Sequence, residues 1–287
     1  MAHPEPRSRP PRLFLLGRRL ERRGVHGSSF FLRALKRLGV LHRPVVLPIG
    51  KAINVEVLLD RLPWDAEDLA VYENGYIEEL ASIARTFPSP VTLVDVGADI
   101  GLFALKLISA CPAIQSLFAF EPNPEGFALL KKNLEQLPFP AQAIPKGVAD
   151  FEGRGTLVSP DHGMDFAANF MQRSENGKIA MTTMDSLSIR NANLCLKIDV
   201  EGGELAVLRG AEQTIRSAHS IVVGLEAHPA VVKRTGVDPV ECLRLLQSWR
   251  QFSFFVSETK TKLEITRPVF AQIPDTQLYN VIGVSSL

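Results

Sequence analysis

The sequence predicts an α/β fold, a doubly wound and mostly parallel sheet with a late antiparallel strand, and three observations carry that expectation. First, Pro90-Val91-Thr92-Leu93 opens a β-branched, apolar run that leads into Val94-Asp95-Val96-Gly97-Ala98-Asp99-Ile100-Gly101, the pattern of a buried parallel strand entering a glycine turn. Second, residues 102–110 have the character of a helix, and Leu117-Phe118-Ala119-Phe120 makes another apolar run that ends in Glu121. Strand, glycine turn, helix, strand and acid is the order of a nucleotide-binding βαβ unit. Third, strands and helices alternate along the rest of the chain, which closes on a hairpin-like pair.

Composition bounds the alternatives. The 287 residues suffice for one large domain or two small ones with a sizeable core. With 46% hydrophobic and 22% charged residues, the chain reads as an ordinary soluble globular protein. A formal net charge of +1 lends no support to a nucleic-acid partner, and none is expected. Cys111, Cys195 and Cys242 are widely spaced and odd in number. They indicate neither a zinc site nor a disulfide framework, and they suit a reducing cytoplasm. No apolar run approaches the roughly eighteen to twenty residues that span a bilayer.

Taken in order, residues 1–43 form a basic N-terminal extension, partly disordered or helical. Residues 1–12 are rich in Pro and Arg and are expected to be disordered. From 13 to 43, Arg18, Arg19, Arg22, Arg23, Arg33, Lys36 and Arg37 interleave with apolar residues from Leu13 to Leu38. Amphipathic helices in peripheral contact with an anionic membrane would have this composition. The irregular hydrophobic spacing favours instead a basic helical extension packed on the catalytic domain. Residues 44–90 make a second region. Two β-like runs around Ile49-Gly50-Lys51 read as a hairpin. Leu69, Tyr72, Tyr76, Leu80 and Ile83 stand at near-helical spacing over 65–86, before Phe87-Pro88-Ser89-Pro90 ends that helix.

Residues 91–287 carry the sheet. Strands are predicted at 91–96, 117–121 and 141–146, with helices at 101–110 and 124–137. Pro124 suits a first helical position, whereas Pro145 sits poorly inside the third strand. Residues 151–177 read as a long irregular loop, with turns at 159–163 and 173–177, and as a substrate lid. Strands at 178–183, 194–200, 221–226, 252–256 and 279–285, with helices at 204–217 and 239–249, complete the pattern.

The glycine turn narrows the ligand. A dinucleotide fingerprint G-x-G-x-x-G beginning at Gly97 needs glycine where Asp99 stands. The pattern is instead D-x-G-x-x-x-G, with Glu121 about twenty residues past Gly101, where such folds set a carboxylate on ribose hydroxyls. This resembles the S-adenosylmethionine loop of class I methyltransferases; the alternative is an ordinary strand-to-helix turn with incidental glycines.

A second dense patch is Leu196-Lys197-Ile198-Asp199-Val200-Glu201-Gly202-Gly203-Glu204. Strand alternation puts Lys197, Asp199 and Glu201 on one face. The neighbouring strand ends in Leu225-Glu226-Ala227-His228. Ligands of open α/β sheets collect at the carboxyl ends of strands, so Asp199, Glu201, Glu226 and His228 are expected to converge beside the glycine turn. A purely structural role is the competing expectation: Glu204 favouring a helix N-terminus, and Glu201 pairing with Lys197.

Together, Val94 to Gly101, Phe120-Glu121-Pro122-Asn123, and the 196–204 segment followed by Leu208-x-Gly210-Ala211 resemble the FkbM family of S-adenosylmethionine-dependent methyltransferases. Thr183-Met184-Asp185-Ser186-Leu187 resembles the family's T-x-D-x-L, and Glu226-Ala227-His228 its E-x-H. The similarity covers about residues 70–285. The loop departs from the family's usual G-A-N-I-G, because Asp99 replaces asparagine and adds negative charge. The resemblance implies a class I, Rossmann-like seven-stranded sheet with its last strand antiparallel. It also implies an O-methyltransferase acting on a hydroxyl of a sugar, polyketide or related metabolite, a small-molecule or glycan acceptor. Cofactor contacts are then assigned to Asp95, Gly97, Ala98, Asp99, Gly101, Glu121, Pro122, Asn123, Gly147 and Val148. Catalytic candidates are Asp199, His228, Glu201 and Glu226, with Asp199 or His228 as general base. A divalent cation held by Asp199, Glu201 and Glu226 is the alternative route to an activated hydroxyl. A nicotinamide-dependent oxidoreductase and a catalytically silent binding protein of the same fold are the competing functions.

Overall fold

The computed structural model describes residues 9–41, 44–49, 53–61, 65–158 and 170–286. The expectations placed on residues 1–8, on Gly50-Lys51 and on the turn at 159–163 lie outside the described residues. The chain divides into two compact units, residues 1–74 and 75–287.

The first unit comprises α1 (Arg12–Arg22), α2 (Ser28–Arg37), the hairpin β1 (Pro44–Ile49) and β2 (Ile53–Leu58), and α3 (Ala66–Val71). Gly17 lets α1 and α2 meet, since a Cβ there would lie 2.6 Å from Leu32 Cδ2. Asp65 caps α3, accepting from the Glu67 and Asp68 amides, while the Asp68 carboxylate accepts from the Asp65 amide. Arg18 and Arg22 of α1 pair with these same acids, so one charged cluster ties α1 to the start of α3. The single helix expected over 65–86 is two helices. Glu73, at φ +46°, turns the chain between α3 and α4 (Asn74–Ala84).

The second unit holds the predicted sheet. In chain order it runs β3 (Val91–Val96), α5 (Leu102–Ala110), β4 (Ile114–Phe120), α6 (Pro124–Leu134), β5 (Ala141–Ile144), β6 (Gly147–Val148), β7 (Gly153–Val158), β8 (Phe170–Arg173) and β9 (Ile179–Thr182). Then come β10 (Asn193–Ile198), α7 (Glu204–Arg209), α8 (Glu212–Ser217), β11 (Ser220–Ala227), α9 (Pro229–Thr235), α10 (Val240–Trp249), β12 (Ser253–Val256) and β13 (Tyr279–Ser286). The main sheet has seven strands in the order β12-β13-β11-β10-β3-β4-β5. β13 pairs antiparallel with both neighbours, and the ladders from β11 through β5 are parallel. This is the class I methyltransferase arrangement that the resemblance implies. Leu194, Leu196, Ile198, Val223 and Leu225 are almost wholly buried, as strands covered on both faces must be.

Further elements differ from the sequence expectation. The third strand stops at Ile144, because Pro145 has no N–H for a ladder, and Gly147-Val148 turns to pair with β9 instead. The segment expected to be an irregular lid contributes β7 and β8 to a second sheet of order β6-β9-β7-β8. Gly177 makes that sheet feasible, since a Cβ there would lie 2.2 Å from the Gly155 carbonyl oxygen. The helix expected over 204–217 breaks at Gly210-Ala211, where Gly210 lies so close to Ala149 that a Cβ would come within 2.0 Å of its carbonyl oxygen.

Candidate active site

The turn after β3 is held by backbone bonds to the end of β4. Gly97 N and Ala98 N both donate to the Phe120 carbonyl at the end of β4, at 3.1 and 2.9 Å. Gly97 and Gly101 have φ of +84° and +83°, and Asp99 has +48°, conformations that favour residues with little or no side-chain bulk at Cβ. Glu121 closes the turn from β4: one oxygen accepts from the Asp99 amide at 2.8 Å and the other from the Asn123 amide at 2.6 Å. Asn123 then caps α6, accepting from Glu125 N and Gly126 N, with Pro124 at its first position. Gly147 and Val148 are buried in β6, beyond the end of β5, and Val148 belongs to the apolar core.

Beneath the turn lies Lys197, only 4% exposed. Parallel register sets Lys197 of β10 opposite Asp95 of β3 and Gly224 of β11. Its Nζ donates to the Gly97 carbonyl at 2.9 Å and meets Asp199 Oδ2 at 3.2 Å and Asp95 Oδ1 at 3.4 Å. The ammonium thus hydrogen-bonds one carbonyl and forms ion pairs with two carboxylates. The Phe103 ring lies 5.3 Å from the same nitrogen, and the Tyr76 ring packs on Phe103, tilted by 45° at 5.5 Å between centroids. Gly224 admits Tyr76 to the sheet: a Cβ there would lie 1.9 Å from the tyrosine oxygen. Asp95 is wholly buried, and burial pushes its carboxyl above the usual range against the pull of Lys197.

Lys197 and Glu201, the pair expected for a structural role, each have another ion partner. Lys197 serves Asp95 and Asp199, while Glu201, at φ +56°, receives a bond on its carbonyl from Arg234 and lies 4.0 Å from that guanidinium by its carboxylate. Glu204 accepts from Gly202 N at 3.0 Å and Val200 N at 3.4 Å, so it stitches the turn that opens α7. Asp199, Glu201 and Glu226 do converge: their carboxylate oxygens lie within 4.8 Å of one another. His228 caps α9, its Nδ1 accepting from the Ala230 amide at 3.0 Å.

Glu226 titrates abnormally. Burial, with the charges of Asp199 and Glu201 beside it, pushes its carboxyl up to about 10. A raised value means that the folded protein holds this proton more tightly than the unfolded chain does. The resulting stability is complete below the ordinary carboxyl range and is lost as pH rises toward about 10. Glu226→Gln keeps the protonated shape at every pH. In melting curves recorded with a chelator, the variant is expected to lose less melting temperature than the parent between about pH 5 and about pH 9. Parallel curves would show that Glu226 is already ionised in the folded protein.

Sequence reasoning brought the acidic cluster and the glycine turn to one sheet edge, as they are found, and put Lys197 on the face of Asp199 and Glu201, but gave it Glu201 as partner and missed Tyr76 and Phe103 beside it. The presence of a lysine inside an otherwise apolar strand was the available signal. Two motif stretches prove architectural. Asp185 accepts from Gln213 N, Thr214 N and Thr214 Oγ1, which anchors the start of α8, and Gly210 packs on Ala149.

Residues 95–254 match the Methyltransferase FkbM domain. Hexuronic acid methyltransferase AglP of Haloferax volcanii is 31% identical over 240 residues, spanning 80% of this chain and 87% of that protein. Methyltransferase 1 of Beauveria bassiana is 26% identical over 168 residues, which span 50% of this chain and 66% of the fungal protein. Among solved structures, a methyltransferase FkbM from Methylobacillus flagellatus is similar with a TM-score of 0.46 and 16% identity. That match covers 76% of this chain and 52% of the bacterial protein.

Proposed function

Because the chain belongs to the FkbM methyltransferase family, we propose that it moves a methyl group from S-adenosylmethionine to a hydroxyl of a sugar or related metabolite. A uronic acid is the first acceptor class to test, since the Haloferax relative is named for a hexuronic acid. The carrying observation is Lys197, whose single ammonium bonds the Gly97 carbonyl of the turn and contacts the Asp199 carboxylate. The turn proposed to carry the cofactor and the group proposed to take a proton are thereby held side by side. Family membership sets aside hydride transfer to nicotinamide.

The residues present fit the cofactor. Gly97 and Gly101 leave the turn's backbone bare, with Ala98 and Asp99 between them, for a ligand at the start of α5. A carboxylate offers about four acceptor positions, so Glu121 has the capacity to take ribose hydroxyls as well as the two amides. Pro122, Asn123, Gly147 and Val148 flank the same edge, while Asp95 supports the turn from below. When bound, S-adenosylmethionine supplies an electrophilic methyl group. Asp199 accepts the proton that the acceptor hydroxyl gives up as its oxygen attacks. His228 is poorly placed for that task. With Nδ1 engaged by Ala230, a neutral ring carries its proton on Nε2 and offers a donor. We assign it, with the protonated Glu226, to binding acceptor oxygens, and Glu201 to shaping the turn.

Calorimetry with S-adenosylmethionine tests the cofactor half. Glu121→Ala is expected to weaken binding at least about tenfold, roughly 1.4 kcal/mol. It should also lower the melting temperature by a few degrees, because two amides lose their acceptor. Affinity equal to the parent's would remove Glu121 from the ribose. Mass spectrometry of uronic-acid glycosides incubated with protein and cofactor tests the other half. Methylation of none of a broad acceptor panel, with cofactor binding intact, would favour a silent binding protein.

A further inference from the structure

Exposed apolar side chains are concentrated in one place. Among the described residues nine large apolar side chains are exposed, and six of them fall within residues 13–38. Charge is concentrated there too: the first 43 residues hold eleven Arg and Lys against two Glu, in a chain whose formal net charge is +1. The remainder is therefore net negative. The spacing that looked irregular along the sequence is divided between two helices, because Gly24 and Gly27, at φ +67° and +86°, end one helix and restart the period in the next.

On α1, Leu13, Leu16 and Leu20 follow i, i+3, i+7 spacing, flanked by Arg12, Arg19 and Arg23. The opposite side carries the buried Phe14, together with Arg18 and Arg22, which turn to the acids of α3. On α2, Phe30, Arg33 and Arg37 share the outer face, while Leu32 and Leu35 are buried. Phe30 is 66% exposed and Leu38, just past the helix, 76%. Glu21, the one acid in either helix, is engaged by Arg18.

We propose that α1 and α2 form a docking surface for an anionic lipid bilayer. Phe30, Leu16 and Leu38 enter the boundary between headgroups and acyl chains, and the arginines beside them meet lipid phosphates. A second copy is the wrong occupant, because it would set one strongly positive face against another. The proposal stands or falls independently of the methyl-transfer reading.

Flotation of the full chain with vesicles of phosphatidylcholine, with and without phosphatidylglycerol, tests the proposal. Binding is expected only to the anionic vesicles and should weaken at least about tenfold on going from low salt to about 0.5 M. The variant Leu13→Ser/Leu16→Ser/Phe30→Ser should lose most of that binding, and Arg19→Glu/Arg23→Glu should lose it too. All five side chains lie on exposed positions, and circular dichroism checks that the variants are folded. Equal binding to neutral vesicles, parent-like binding by both folded variants, or no vesicle binding at all would overturn the proposal. A dimer or a protein complex that the same substitutions abolish, without vesicle binding, would reassign the face and overturn it equally.

Discussion

Gly97→Val is expected to abolish S-adenosylmethionine binding and to lower the melting temperature sharply. Gly97 has a φ of +84°, and a Cβ there would lie 1.8 Å from the carbonyl oxygen of Asp199 and 3.0 Å from its carbon. Both obstacles are backbone, so no side-chain rotation relieves them. A positive φ alone costs a bulky residue about 1–3 kcal/mol, and the steric clash adds to it. The turn must move, and with it the carbonyl that Lys197 holds. Gly101→Ala is the calibrating variant. Its Cβ would meet Leu130 Cδ1 at 2.8 Å, the end of a flexible side chain, so a milder loss is expected despite the similar φ. Calorimetry on the folded fraction at low temperature reads both. A folded Gly97→Val protein that binds like the parent would show that the turn carries no ligand.

Asp199→Asn is expected to slow methyl transfer by about 10²–10⁴-fold, the usual worth of a positioned base, with cofactor affinity nearly unchanged. Asparagine keeps the shape and one acceptor for Lys197, so the turn should stay in place, but it cannot take the acceptor's proton. Rates measured with a panel acceptor after chelation separate the two routes to an activated hydroxyl. Activity that vanishes with chelator and returns with magnesium would assign Asp199, Glu201 and Glu226 to a cation. Activity indifferent to chelator leaves Asp199 as base. A variant that turns over at the parent rate would make the whole cluster structural.

The sequence by itself determined the main sheet, the glycine turn and the edge at which the acids gather. Those signals are local. Strands buried on both faces are continuous apolar runs, a turn that needs positive φ shows its glycines, and a strand's end shows its acid. Where punctuation was read too lightly, at Gly210 and at Tyr72-Glu73, single helices were drawn where the chain makes two, and at Pro145 a strand was drawn two residues too long. Within the second sheet, Gly153–Val158 and Phe170–Arg173 are short and lack apolar alternation, and Gly177 against Gly155 is a contact between segments, not a pattern within one. Only the tertiary structure decided which partner each charged group serves. Lys197 bonds a carbonyl one hundred residues away and leaves Glu201 to Arg234; His228 spends its lone pair on a helix cap; Glu226 keeps a proton because burial and two neighbouring carboxylates make its charge too costly. Each of these depends on distances across strands and on exclusion of water, quantities set by packing that no spacing along the chain encodes.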